Sequence, residues 1–87
     1  MYKRVIGKKL KKILKKIYKK DKIRYEATLK KIDEIINAEN PHHYKNLSNS
    51  MREFKRVHID SHFVLIFKIE NDAIKFENLQ HHDYIYN

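Results

Sequence analysis

The sequence predicts an α+β fold in which an N-terminal strand and an antiparallel two-helix hairpin pack on an antiparallel β-sheet, in the order β-α-α-β-β-β. Two stretches in the first half repeat their apolar residues with the 3.6-residue period of a helix. Three stretches in the second half have the alternating or continuous apolar pattern of strands. With 87 residues, one glycine and one proline, the chain is short and regular enough for a single domain over residues 1–87.

The first strand is predicted at Tyr2–Ile6, which contains Val and Ile and is closed by Gly7. The first helix is predicted at residues 8–20, where paired lysines alternate with apolar residues so that the two kinds occupy opposite faces. Its apolar face consists of Leu10, Ile13, Leu14, Ile17 and Tyr18.

The second helix is predicted to start after Asp21, a residue type that caps helix N-termini, and to continue to Asn40–Pro41. Proline disfavours helix at the residue before it, so the helix should end there. Its apolar face consists of Tyr25, Leu29, Ile32, Ile35 and Ile36. Two amphipathic helices with so short a connection should form a hairpin that buries both apolar faces on the sheet.

The second strand is predicted at Arg52–Asp60, where side chains alternate between two faces. One face carries Lys55, Val57 and Ile59, and the other carries Phe54, Arg56 and His58. This half-buried pattern has an unusually basic polar side.

The last strands form a predicted antiparallel meander. Phe63–Ile69 is almost continuously apolar, as in a central strand, and Glu70–Asp72 provides a turn into a strand at Ala73–Leu79. Gln80–Asn87 is too polar for a core strand and is expected to lie against the sheet as a short tail.

Composition narrows the class of function. The formal charge is +9, and all of it belongs to residues 1–39, where 14 basic residues face 5 acidic ones. Such an excess favours a polyanionic partner. The chain has no cysteine, which excludes disulfides and a thiol nucleophile and suggests a cytoplasmic protein. The longest apolar run, Phe63–Phe67, is far shorter than the ~18–20 residues that span a bilayer, so no membrane partner is expected.

The six histidines occur without cysteines and without a metal-binding helix motif, so a metal site is only weakly indicated and no metal or other cofactor is expected. His58 is the best site candidate among them. It shares a strand face with Arg56, and a titratable group beside a cation on a sheet face is typical of functional sites.

The second half of the chain resembles the RelE/ParE toxin superfamily, and within it the YafQ-like and archaeal RelE-type toxins most closely. The resemblance is carried, in order and spacing, by Tyr44–Leu47, Phe54–Ile59, Phe63–Phe67 and His81–Tyr86. It implies a RelE-like fold and a toxin of a type II toxin–antitoxin pair that cleaves mRNA on the ribosome. The implied partners are a cognate antitoxin, the ribosome and mRNA, and the free toxin is expected to be a monomer.

The resemblance also implies site residues. It implies His58, His82 and Tyr86 as catalytic residues, and Arg56 joins this set because it shares a strand face with His58 and has a guanidinium suited to phosphate. His58 and His82 would act as base and acid, in an order left open, with Arg56 on the phosphate and Tyr86 orienting the nucleotide. Asn78 stands where the family has a functional arginine, and His62 where YafQ-like toxins have an aspartate. Phe63, at the position of a tryptophan in YafQ-like toxins, is an RNA-binding candidate by the same resemblance. The other RNA-binding candidates are chosen for their charge and are Lys45, Lys55, Lys11, Lys12, Lys15 and Lys16.

Three other functions fit part of the sequence. A toxin of the ParE branch would share the fold and act on gyrase, but it would need no proton-transfer residues. A non-catalytic nucleic-acid-binding module would use the basic helix and exposed aromatics alone. A lysine-rich amphipathic helix would also suit a protein that binds anionic membrane surfaces, although the apolar face of this helix should be buried against the sheet.

Overall fold

The computed structural model describes residues 1–47 and 53–83. Its elements are β1 (Lys3–Ile6), α1 (Lys8–Lys20), α2 (Lys22–Ile36), a short 3-10 turn (Pro41–His43), β2 (Lys55–His58), β3 (Phe63–Glu70) and β4 (Ala73–His81). The predicted α+β class and element order are confirmed. No helix within the described ranges is long and apolar enough to cross a bilayer.

The four strands form one sheet in the order β1-β4-β3-β2. The pairs β2–β3 and β3–β4 are antiparallel, as the meander prediction requires. β1 joins the other edge parallel to β4, with Lys3 opposite Ala73 and Ile6 opposite Phe76, so the whole sheet is mixed. β1 therefore pairs with β4, and the two helices, β2 and β3 form the long connection that parallel strands require.

A β-bulge in β4 lies where β1 turns into α1. Asn78 is opposite Ile66 while Phe76 is opposite Phe67, which leaves Glu77 as the extra residue. Gly7 packs against this bulge and donates its N–H to the Phe76 carbonyl at 2.8 Å. A Cβ on Gly7 would lie 2.7 Å from Glu77 Oε1 and 3.2 Å from the Phe76 carbonyl oxygen, so glycine permits this close approach.

Both helices begin where the sequence predicts, and α1 matches its predicted range. At the start of α2, the Asp21 carboxylate accepts the Arg24 backbone N–H at 3.1 Å. The end of α2 is a correction, because the helix stops at Ile36 rather than near Asn40. The Asn37 side chain donates to the Asp33 carbonyl at 2.9 Å, so an asparagine cap ends the helix before the proline can.

The strand limits also differ from the prediction. β2 comprises only Lys55–His58, so the prediction of a strand up to Asp60 is wrong, and Glu53 and Phe54 are not part of the strand either. The predicted start at Arg52 lies outside the described residues. β4 continues through Gln80 and His81, so the prediction that the tail begins at Gln80 is wrong. Gln80 pairs with Val64 and His81 with Phe63, and this backbone pairing outweighs the polar character of the side chains.

The core lies between the two helices and one face of the sheet. Its buried members are Leu10, Ile32, Ile35, Ile36, Leu65, Phe67, Ile74, Phe76 and Leu79. Val64 and Ile66 are also buried but do not belong to this cluster. They alternate with Leu65, so they lie on the other side of the sheet, called the outer face below.

Candidate active site

Arg56 and His58 lie on the outer face of β2. Val57 between them packs against the core, which turns its two neighbours away from the helices. Arg56 pairs with Ile66 and His58 with Val64. Directly paired residues place their side chains side by side. The side chains of Arg56 and His58 therefore lie beside the apolar side chains of Ile66 and Val64.

The structure brings the rings of His58 and His82 together, and their roles as acid and base stay a prediction. Their ring centroids are 5.4 Å apart and the ring planes differ by 34°. The backbone N–H of His82 donates to the His62 carbonyl at 2.6 Å, and this bond holds the chain after β4 close to the start of β3. The His82 side chain is 42% exposed and His58 is exposed, so a substrate can reach both imidazoles.

Asp83 lies beside this pair and was not predicted. Its carboxylate oxygens are 3.6 Å from His82 Nδ1 and 3.7 Å from His81 Nδ1. A carboxylate beside an imidazole can orient the ring. The position of Asp83 directly after two histidines was the sequence signal that could have identified it.

A groove of about 760 Å³ runs between α1 and the last part of β4. Phe63 lines it and meets the His81 ring edge-on at 5.2 Å, while the Arg24 guanidinium covers Phe63 at 4.0 Å from the ring centroid. The His81 ring stacks on His62 at 5.9 Å. The groove is lined by Lys9, Ile13, Phe63, Asn78, Leu79, Gln80, His81 and Asp83.

The predicted cations have different surroundings. Lys55 donates to the carbonyls of His42 and Tyr44 at 3.0 and 2.9 Å and to Asn46 Oδ1 at 2.8 Å, so its ammonium already fixes the loop before β2. Lys45 is exposed beside that loop. Lys11, Lys12, Lys15 and Lys16 are exposed on α1. Their contact with RNA, like that of Lys55 and Phe63, stays a prediction.

Asn78 and Tyr86 are the remaining positions that the sequence analysis singled out. Asn78 is 8% exposed, and its side-chain oxygen accepts the Leu79 N–H at 2.9 Å, so this group serves the backbone of β4. Tyr86 lies outside the described residues. Within residues 1–47 and 53–83, no group of three or more His, Asp or Glu side chains is arranged to hold a metal ion.

Asp60 organises the turn between β2 and β3. Its Oδ1 accepts the backbone N–H groups of His62 and Phe63, both at 2.8 Å, and its Oδ2 accepts Arg24 Nε at 3.1 Å. Burial alone would raise the pKa of Asp60. The two backbone donors and the Arg24 guanidinium outweigh burial and bring this pKa below its ordinary value. The carboxylate is therefore held ionised between the turn and α2.

Replacing Asp60 by asparagine should lower the free energy of unfolding at pH 7 by on the order of 1 kcal/mol, because the charged bond to Arg24 is removed. A carboxylate whose folded pKa is lowered stabilises the fold above its unfolded pKa, and this stabilisation disappears as the pH falls through the folded value. Urea denaturation of both proteins from about pH 7 to about pH 2.5 measures the difference. It should be constant above about pH 5 and shrink below about pH 4, whereas a difference independent of pH would contradict the assignment.

No family model matches the sequence. Solved structures share the fold. The crystal structure of a YafQ mutant from Escherichia coli superposes with a TM-score of 0.76 at 18% identity, covering 100% of both chains. The Escherichia coli DinJ–YafQ complex gives 0.67 at 16% identity, again over 100% of both chains. A Helicobacter pylori protein, HP0894, gives 0.65 at 19% identity over 95% of this chain and 97% of that one. These likenesses define a RelE/YafQ-like fold.

Sequence similarity identifies the family. A Methanocaldococcus jannaschii protein named as a toxin, RelE4, is 49% identical over 99% of this chain and 92% of its own length. An uncharacterised Methanosarcina mazei protein is 51% identical over 82% of this chain and 83% of its own length. The chain belongs to the RelE toxin family.

Proposed function

We propose that this protein is the toxin of a toxin–antitoxin pair and that it cleaves mRNA on the ribosome. The observation that carries the proposal is the pairing of His58 with His82, whose ring centroids are 5.4 Å apart. Arg56 lies on the same face of β2 as His58. Membership in the RelE family supports the same class of activity.

The proposed reaction is attack of a ribose 2′-hydroxyl on the adjacent phosphorus. One imidazole removes the hydroxyl proton as the new O–P bond forms, and the other donates a proton to the 5′-oxygen as its bond to phosphorus breaks. The products are a 2′,3′-cyclic phosphate and a free 5′-hydroxyl. Arg56 would stabilise the charge on the phosphate oxygens through its planar guanidinium. Asp83, whose carboxylate lies 3.6 Å from His82 Nδ1, would orient that imidazole toward the substrate.

The groove between α1 and β4 is connected to His82 through Asp83, which lines the groove, and it would hold a nucleotide neighbouring the scissile phosphate. Unpaired bases stack on aromatic side chains, and Phe63 and His81 present such a surface there. Lys9 at the groove and Lys45 beside β2 would contact phosphates. We propose that Tyr86 orients the nucleotide.

Neutralising the lysine face of α1 should weaken ribosome binding, because fewer phosphates would then be neutralised by the protein. Glutamine at Lys11, Lys12, Lys15 and Lys16 keeps helix propensity and removes four exposed charges. The log–log dependence of the binding constant on salt should flatten by roughly 0.7–0.9 for each phosphate that is no longer neutralised. Arginine at the same four positions is the control and should keep the slope. An unchanged slope in the glutamine variant would show that this face is merely solvated.

A cognate antitoxin would bind this protein through an acidic segment. The net charge of +9 favours such a partner electrostatically. YafQ, which shares the fold, is assembled with DinJ in one of the solved structures. We propose that the free toxin is a monomer.

The proposal is tested by incubating the purified protein with programmed ribosomes and mRNA and mapping cut sites by primer extension. Naked RNA and a His58→Ala/His82→Ala variant are run beside it. Cuts in ribosome-bound mRNA that disappear in the variant are expected. Tight ribosome binding without cuts would overturn the enzymatic function and favour a non-catalytic RNA-binding module, for which the exposed lysines of α1 already provide a surface.

A further inference from the structure

We infer that Arg24 and Asp60 are positioning residues that hold His58 and His82 in their reactive arrangement. The catalytic part of this inference rests on the proposed function. Neither residue lies in the segments through which the chain resembles the toxin family. The two residues would act on the histidines by fixing the turn between β2 and β3.

The turn between β2 and β3 is attached to α2 through Arg24. Arg24, in the first turn of α2, has a side chain that is only 24% exposed. Its Nε donates to Asp60 Oδ2 at 3.1 Å, and one terminal nitrogen donates to Asp21 Oδ2 at 2.5 Å. Its guanidinium also stacks on Phe63, the first residue of β3. A planar group fixed by three neighbours has little rotational freedom, so it anchors Asp60 firmly.

Asp60 closes the turn. The second carboxylate oxygen binds the N–H groups of His62 and Phe63, and the Ile59 N–H donates to the Phe63 carbonyl at 3.0 Å. The turn therefore has a defined shape from Ile59 to Phe63. His58 is the last residue of β2 and directly precedes it.

The turn is also bonded to His82, the second histidine of the pair. The His62 carbonyl accepts the His82 N–H at 2.6 Å. One histidine thus precedes the turn and the other is bonded to its far end. A displacement of the turn would change the distance between the two rings, and a misplacement of about 1 Å can reduce catalysis by ~10²-fold.

The alternative is that the ion pair only stabilises the fold. The chain offers a matched control in Arg4 and Asp33, an arginine–aspartate pair at 3.3 Å that also involves α2 but is 50% and 64% exposed. The test therefore compares two double-mutant cycles, Arg24→Gln with Asp60→Asn and Arg4→Gln with Asp33→Asn. Asparagine at position 60 keeps an oxygen for the two turn N–H groups and removes only the charged bond to Arg24.

Two readouts are needed, neither of which a purely stabilising role would change. Single-turnover cleavage on programmed ribosomes is measured at temperatures where every variant is folded by circular dichroism. Nuclear Overhauser contacts between the His58 and His82 ring protons are measured on the free protein.

We expect Asp60→Asn to lower the cleavage rate by about 10–100-fold with little change in KM, and to weaken the ring contacts. The Arg24→Gln/Asp60→Asn variant should be no slower than the slower single variant, because the two residues act as one unit. The Arg4→Gln and Asp33→Asn variants should stay within about twofold of wild type.

Ring contacts and rates unchanged in Asp60→Asn would overturn the inference, as would rate effects of the two substitutions that simply multiply. If Arg24→Gln does not fold, Asp60→Asn alone decides the matter. If the wild-type protein cleaves no RNA, the proposed function fails, and the ring contacts still show whether the turn positions the pair.

Discussion

Replacing His82 by alanine is expected to slow cleavage of ribosome-bound mRNA by about 10²–10⁴-fold. Imidazoles are common general acids and bases, and the ring centroid of His82 lies 5.4 Å from that of His58, with which it would share the reaction. Its removal leaves the binding surfaces intact, so KM should change little. Single-turnover cleavage with saturating ribosomes measures the rate directly.

The control for this prediction is His42→Ala, an exposed histidine in the 3-10 turn far along the chain from β4. It should cleave within about twofold of wild type. The His58→Ala/His82→Ala variant should be little slower than either single variant, because groups that act in one reaction have non-additive effects. A His82→Ala rate close to that of wild type would remove this residue from the mechanism.

Replacing Phe67 by alanine is expected to lower the free energy of unfolding by about 3–5 kcal/mol. Its side chain is 0% exposed and belongs to the central strand β3. The ring packs edge-on against Tyr44 and at an angle against Phe76, both with centroids 5.7 Å away. Because small domains have total stabilities of roughly 5–15 kcal/mol, the variant would lose a large part of its stability. Urea denaturation at about 25 °C measures the change.

An exposed apolar residue provides the control. Ile23 on α2 is 85% exposed, and Ile23→Ala should change the free energy of unfolding by less than about 0.5 kcal/mol. A decrease below about 1 kcal/mol in Phe67→Ala would mean that the two phenylalanines are not the centre of the core.

Local features of the fold could be predicted from the sequence. The period of Leu10, Ile13 and Ile17 located α1, and Asp21 located the start of α2, because both signals act within a few residues. The end of α2 was misplaced since two signals competed there, and the nearer one, Asn37, ended the helix. The extension of β4 to His81 was missed because partner strands decide such pairing.

Contacts between distant segments could not be predicted in the same way. Nothing in the pattern of Lys3–Ile6 shows that it pairs with β4 in parallel. The proximity of His58 and His82 was predicted only through the family resemblance. Arg24 and Asp60 had no such guide, since an ion pair between a helix and a turn leaves no periodic signal in the sequence.

The parallel pairing of β1 with β4 has a consequence for folding in the cell. β1 finds its partner, Ala73–Phe76, only after the helices, β2 and β3 between them have been synthesised. Until then the apolar faces of α1 and α2 have no complete sheet to cover, and contacts between such distant segments form slowly. We expect a nascent chain that stops before Ala73 to remain sensitive to protease. Since His82 comes later still, the proposed site can exist only after all four strands of this sheet have been synthesised.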